Sequence, residues 1–216
     1  MALKAPSQVI CDAMTEFLGD VKWLMRFVFL SFVSLVSWAA AQTVLPVEIE
    51  AAKFPSLQAA FDAVPVTGGI VKLPPGRFEI TQPLVIKTED TRVVGAGAAT
   101  CIVNLNEKGQ PALILRPPTK DSDKKAALWR VQLADFRIMG QEKSGDGVFA
   151  EGIQEIYLEG MSIDHHGAHG IHLLDCFEDP RIADCILTYN KKCGIEIVNC
   201  HDIVVNANHF EENQDA

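Results

Sequence analysis

The sequence predicts an all-β chain: a coil of short parallel strands stacked on one another. Two observations predict it. Apolar residues alternate over short runs, as in Val131-x-Leu133, Ile156-x-Leu158 and Ile195-x-Ile197, which is strand periodicity. The sequence can also be laid over itself from Val131 onward. Leu133, Leu158, Ile182 and Val205 then align at steps of 25, 24 and 23. Residues 131–216 hold no uninterrupted amphipathic helix of useful length. A repeat of this size cannot bury its apolar side alone, so it must stack on its neighbours.

Further columns follow the same steps. Phe136, Met161, Cys185 and Asn208 form one, and Ile138, Ile163, Leu187 and Phe210 another. Gly147, Gly170 and Gly194 open the strands Gly147-Val-Phe-Ala, Gly170-Ile-His-Leu and Gly194-Ile-Glu-Ile. Gln141, His166, Asn190 and Asn213 fall three residues after the Ile138 column. Asn tolerates left-handed backbone and can bond along a stack of turns, so this is a turn column.

The region before the repeat reads as the start of the coil. Ser56 is an N-cap for a helix over 57–64, with Leu57, Ala60, Phe61 and Val64 on one face and Pro65 as the stop. A helix of that size is expected to cover the open end of the coil. Strands are expected at 70–73, 78–80, 84–86, 92–94, 101–103 and 112–115, between Gly, Pro and polar turns. Gly95-Ala-Gly-Ala-Ala-Thr100 is read as a turn. It lacks the third glycine and the following helix of a dinucleotide fingerprint. Residues 117–125 (PPTKDSDKK) read as a solvated loop.

Residues 1–41 read as a leader and signal peptide. Phe27–Trp38 is an apolar run behind Arg26, followed by Ala39, Ala40 and Ala41, with cleavage expected after Ala41. The run is shorter than the ~20 residues that span a bilayer, so no stable membrane anchor is expected. Met25 is the expected true start, because residues 1–24 carry Asp12, Glu16 and Asp20 and fit a signal peptide poorly. The mature chain, 42–216, is then secreted, to the extracellular space or the periplasm. A net charge of −9 disfavours a nucleic-acid partner. Most of the cysteines are read as small buried hydrophobes.

The unit GIEIVNCHDIVVNANHFEEN resembles the coil unit of right-handed parallel β-helix proteins of the pectin-lyase-like superfamily. The segments FPSLQAAFDAVPVTGGIVKLPPGRFEITQPLVI and TRVVGAGAATCIV resemble their N-terminal part, where a short helix caps the coil. The resemblance covers roughly 44–216. It implies a right-handed parallel β-helix of about seven coils or fewer. Because the chain stops at Ala216 without a closing cap, it is read as an N-terminal fragment, with self-association expected through the open C-terminal coil. The superfamily hosts lyases, hydrolases, epimerases and non-catalytic adhesins, so fold alone does not fix the reaction.

The chemistry is sought on outward columns. With Val148, Ile171 and Ile195 pointing in, Phe149, His172 and Glu196 point out, one above another. At a rung spacing of ~4.8 Å, His172 and Glu196 fall within pairing reach. A His–carboxylate pair beside an aromatic suits a saccharide: proton shuttle, orienting acid and stacking platform. Gln132, Tyr157, Arg181 and Val204 form a second outward column, where Tyr157 and Arg181 can act as base or carboxylate clamp. The candidate catalytic residues are therefore His172, Glu196 and Arg181, and the candidate substrate contacts Phe149, Tyr157 and His169. No metal ligand set is assigned to the cluster Asp164-His165-His166-Gly-Ala-His169-Gly-Ile-His172, because spacing alone does not assemble a tetrahedron. The resemblance implies lyases with Arg or Lys beside acid-bound calcium, or hydrolases with clustered Asp. Neither constellation is found, and the cofactor stays unassigned, with calcium left open at Asp175, Asp179 and Asp184. The function expected is a polysaccharide lyase or hydrolase acting on an acidic glycan. The alternatives are a non-catalytic glycan- or surface-binding scaffold and a truncated inactive piece.

Overall fold

A computed structural model of the chain describes residues 45–214. The expected leader lies outside the described residues. All strand pairing is parallel. An 11-stranded sheet has seven successive rungs as its spine, from Glu48–Glu50 through Gly69–Lys72, Thr91–Asn104, Gln132–Met139, Tyr157–Glu159 and Arg181–Ala183 to Val204–Asn206. A five-stranded sheet stacks Leu84–Ile86, Leu113–Leu115, Val148–Glu151, Ile171–Leu174 and Ile195–Val198. The chain alternates between these sheets once per coil, which is a solenoid.

The register reproduces the sequence columns. Leu158 pairs with Leu133 and Ile182, and Ile182 with Val205. Ile163 pairs with Ile138 and Leu187, and Leu187 with Phe210. Leu133, Leu158, Ile182, Ile138, Ile163 and Leu187 are fully buried, whereas Val205 and Phe210 on the last rung are 43% and 50% exposed. Column position decides orientation; a covering neighbour decides burial.

The first turn is closed by the helix Leu57–Asp62, two residues shorter than the pattern suggested. Ser56 Oγ accepts the Ala59 N–H at 3.1 Å, the expected N-cap. Leu57, Ala60 and Phe61 are buried. Gln58 supplies the rest of the closure. Its amide accepts the Val85 N–H at 2.8 Å and donates to the Val85 carbonyl at 3.1 Å. Val85 lies on Leu84–Ile86, the edge strand of the five-stranded sheet. Two polar backbone groups on that edge are thereby satisfied by one side chain.

One loop reading needs correction. Gly95–Thr100 is not a turn: Thr91–Asn104 runs through it as one 14-residue strand. The irregularity is absorbed by register shifts on either side of Gly97, whose φ is +63°. Gly95 is required there, since a Cβ would lie 2.5 Å from the Asp135 carbonyl oxygen. The 117–125 loop is exposed as read except at Pro117 and Lys120; the buried Lys120 Nζ donates to the carbonyls of Lys124 and Ala126. Arg116, beside the loop, bonds Asp121 within it and Glu151 on the five-stranded sheet.

The bends along each coil use residues in left-handed backbone, and these too form columns. Arg130, Glu155, Asp179 and Asp202 have φ of 55–59°, and Asp135, Gly160, Asp184 and Ala207 have φ of 54–61°. Each non-glycine member costs about 1–2 kcal/mol of backbone energy. Glu155→Gly is therefore expected to leave stability unchanged or to raise it by up to about 1 kcal/mol, strain relief being offset by chain entropy. Gly160→Ala is expected to lower it by about 1–2 kcal/mol. Urea melts of both variants check the assignment; the opposite order would contradict it.

Candidate functional site

The site grows from the glycine column that opens the five-stranded sheet. Gly147 and Gly170 lie under the next coil so closely that a Cβ on either would sit 2.6 Å from a carbonyl oxygen, Gly170 O and Gly194 O respectively. That close approach brings together the side chains flanking the glycines. Asp146, His169 and Cys193 each precede a column glycine, and Phe149, His172 and Glu196 each follow one by two residues. In the register His172 pairs with Phe149 on one side and Glu196 on the other.

His172 meets Phe149 edge to face, with centroids 5.1 Å apart. Its Nδ1 faces Asp146 Oδ2 at 3.4 Å. The other oxygen of Asp146 accepts the His169 backbone N–H at 2.9 Å. The Asp146 side chain is 12% exposed and that of His172 23%, so this pair is largely sheltered from water. Glu196 stands beside His172 in the register, but its carboxylate accepts from Cys193 Sγ at 3.5 Å. The carboxylate that orients His172 is thus Asp146. The two imidazoles of His169 and His172 lie 5.4 Å apart. Burial, together with the nearby Lys192 ammonium, holds His169 below the ordinary histidine range.

Arg181 and Tyr157 do not join this group. They pair with each other in the 11-stranded sheet, on Arg181–Ala183 and Tyr157–Glu159, whereas His172 and Glu196 belong to the five-stranded sheet. Burial comes first among the causes that raise the Tyr157 phenol, with Glu159 adding to it. A raised phenol is a poorer base. Asp175, Asp179 and Asp184 all have positive φ and serve as bends. Among the described residues, ligand atoms of three or more His, Cys, Asp or Glu side chains gather only around His169.

Sequence reasoning missed Asp146 and Cys193. Their signal was present as the position before each column glycine. It missed a second feature as well: a groove of about 400 Å³ lined by Met139, Gly140, Gln141, Glu142, His165, Tyr189 and Lys191. His165 stacks on Tyr189 with centroids 5.1 Å apart. Its Nδ1 lies 2.7 Å from Asp164, which Arg137 grips through two nitrogens at 2.7 and 2.8 Å.

Between these two features lies His166, in the turn column. Gln141 donates to the Asn106 carbonyl, the His166 N–H donates to Asn190 Oδ1, and the Asn190 N–H donates to Asn213 Oδ1. Asn190 and Asn213 also send Nδ2 to the carbonyls of Ile163 and Leu187. His166 weakens this ladder: it is fully buried, and its ring lies against the backbone of Ile138 and Gly145 with neither nitrogen in a well-formed hydrogen bond.

Residues 129–216 match the family model described as "Right handed beta helix region". Two solved structures share the architecture. ORF18 of Geobacillus virus E2 aligns with a TM-score of 0.64 at 20% identity, over 79% of this chain and 40% of its own. The A-module of mannuronan C-5 epimerase AlgE4 from Azotobacter vinelandii aligns with a TM-score of 0.56 at 16% identity, over 78% of this chain and 58% of its own. This chain therefore spans less than two thirds of either. No curated protein matches by sequence. The fold is a right-handed parallel β-helix.

Burial lowers the pKa of His166 from 6.5 to about 4. An unfolded chain thus binds a proton that the folded chain refuses between those values. Stability is full above pH 6.5 and is lost as pH falls toward 4, by at most about 3 kcal/mol. His166→Asn restores the ladder residue and is expected to remove that loss. Urea melts at pH 7 and pH 4.5 test it; equal losses in both proteins would assign the acid sensitivity elsewhere.

Proposed function

We propose that the chain acts on an acidic polysaccharide by proton transfer, with His172 as the base. The observation that carries this reading is the His172–Asp146 pair, sheltered beside Phe149 on the outer face of the five-stranded sheet. Asp146 accepts from Nδ1 and so holds the tautomer whose Nε2 is free to take a proton. The substrate chemistry that needs this is removal of the proton on the carbon next to a sugar carboxylate. That carboxylate must be met by positive charge, which Lys192 supplies close to His169. Phe149 offers a flat apolar surface to a sugar ring.

A solved neighbour is named mannuronan C-5 epimerase, and a mannuronan is a polymer of acidic sugars. Lyases and epimerases share the proton-removal step, so the site suits either. A hydrolase would use two facing carboxylates, whereas Asp146 faces an imidazole and Glu196 a thiol. The expected leader over 1–41 makes the same proposal one for an exported protein.

The test incubates the full chain with uronate polymers. Products are read as unsaturated chain ends for a lyase, and as solvent deuterium gained without chain cleavage for an epimerase. His172→Gln is expected to lower the rate by at least about 100-fold. Asp146→Asn is expected to lower kcat while leaving KM unchanged, since it orients the base and does not hold substrate. Binding without turnover would make the chain a non-catalytic glycan scaffold and overturn the enzymatic reading, as would full activity in His172→Gln.

A further inference from the structure

A second ligand set stands one coil further along. His169, Cys193 and Glu196 offer an imidazole nitrogen, a thiol sulfur and a carboxylate oxygen, and these atoms all lie within 4.8 Å of one another. Two of them, Cys193 Sγ and Glu196 Oε2, are 3.5 Å apart. Tetrahedral zinc, with ligand bonds of 2.0–2.3 Å, spaces its ligands about 3.5 Å apart. The His169 ligand nitrogen lies within 4.8 Å of both.

His169 itself carries the second observation. Its Nδ1 is buried and has no hydrogen-bond partner among the described residues. Buried ring nitrogens are almost always satisfied, so one that is not points to an absent ligand. The backbone fixes the residue: its N–H is held by Asp146, and its carbonyl accepts from the Gly147 N–H. Cys193 is held likewise, its carbonyl accepting from the Gly170 N–H. The ligands thus project from stacked rungs, and only side-chain torsions remain to adjust.

We propose that His169, Cys193 and Glu196 form a binding site for a divalent transition metal of the zinc class. The mixed sulfur, nitrogen and oxygen donors decide the class. Thiolate with imidazole suits zinc and its neighbours, while calcium and magnesium take oxygen ligands. Binding replaces the Cys193 S–H proton, which passes to solvent, and forms the metal–sulfur bond. The fourth tetrahedral position is left for water, as in open zinc sites. The adjacent set of Asp146, His169 and His172 also converges within 4.8 Å. It competes for His169, but the Asp146 oxygens already hold the His169 N–H and the His172 ring.

The site is independent of the polysaccharide reading, because metal binding is measured with no sugar present. Cobalt(II) is the probe, added to the full chain, with zinc competition and stoichiometry measured in parallel. The expected result is one cobalt per chain, displaced by zinc, with a sulfur-to-cobalt charge-transfer band. Cys193→Ser is expected to abolish the band. Glu196→Gln and His169→Gln are expected to weaken binding by more than about 100-fold, beyond the loss of an outer-shell partner. Cys200→Ser and His172→Gln are expected to retain both band and stoichiometry. Circular dichroism melts of the metal-free variants establish that each is folded. No bound cobalt, a band that survives Cys193→Ser, or binding lost in His172→Gln instead would each overturn the proposal.

Discussion

Each coil of this molecule closes its apolar interior only through the coils above and below it. That constraint fixes most of what the structure does. Leu133, Leu158 and Ile182 are buried because each has a neighbour on both sides, while Val205 continues the column and stays exposed. The first turn meets the same constraint with a different device. A six-residue helix covers it, and the Gln58 amide stands in for a missing rung at Val85. Without such a partner, the edge strand would leave backbone groups unpaired.

Stacking also builds the chemistry. Residues 23 to 26 apart in sequence become neighbours, so a short alphabet of positions around each glycine generates a continuous surface. The position before the glycine supplies Asp146, His169 and Cys193, and the position two after it supplies Phe149, His172 and Glu196. One coil sets an imidazole between a carboxylate and a benzene ring, and the next sets a thiol against a carboxylate. Neither arrangement needs a loop to order itself. Both inherit their geometry from rungs held by backbone hydrogen bonds, and such rigid support is what proton transfer and metal binding require.

The apolar columns were legible in the sequence because a stacked strand leaves a strict signature: alternation along the rung and repetition between rungs. The Ile138 and Leu133 columns fell in register as read. The bends were not legible. Arg130 and Glu155 adopt left-handed backbone, and neither residue type advertises it. Gly95–Thr100 looked like a turn by composition, yet tertiary pairing carries a strand through it. The site was legible in half. Outward position placed His172 beside Phe149, as the register has them, but the carboxylate nearest the His172 ring, Asp146, lies outside the strand and was invisible to strand alternation. Arg181 and Tyr157 were read on a second outward column, which the register reproduces, and the two-sheet coil keeps that column apart from His172.

The central claim is the register that sets equivalent residues of consecutive coils side by side, and disulfide trapping on the outer face measures it directly. Gln132 and Tyr157 are paired in register, with Glu159 two residues further along the same strand. Rung spacing puts the first pair about 5 Å apart at Cα and the offset pair, Gln132 and Glu159, about 8 Å apart. A disulfide needs less than about 7 Å. The doubly substituted Gln132→Cys, Tyr157→Cys protein should oxidise to an intramolecular bond found by peptide mass spectrometry, while Gln132→Cys with Glu159→Cys should not. Cross-linking of the offset pair in preference to the paired one would contradict the register, and with it the assembly of both sites.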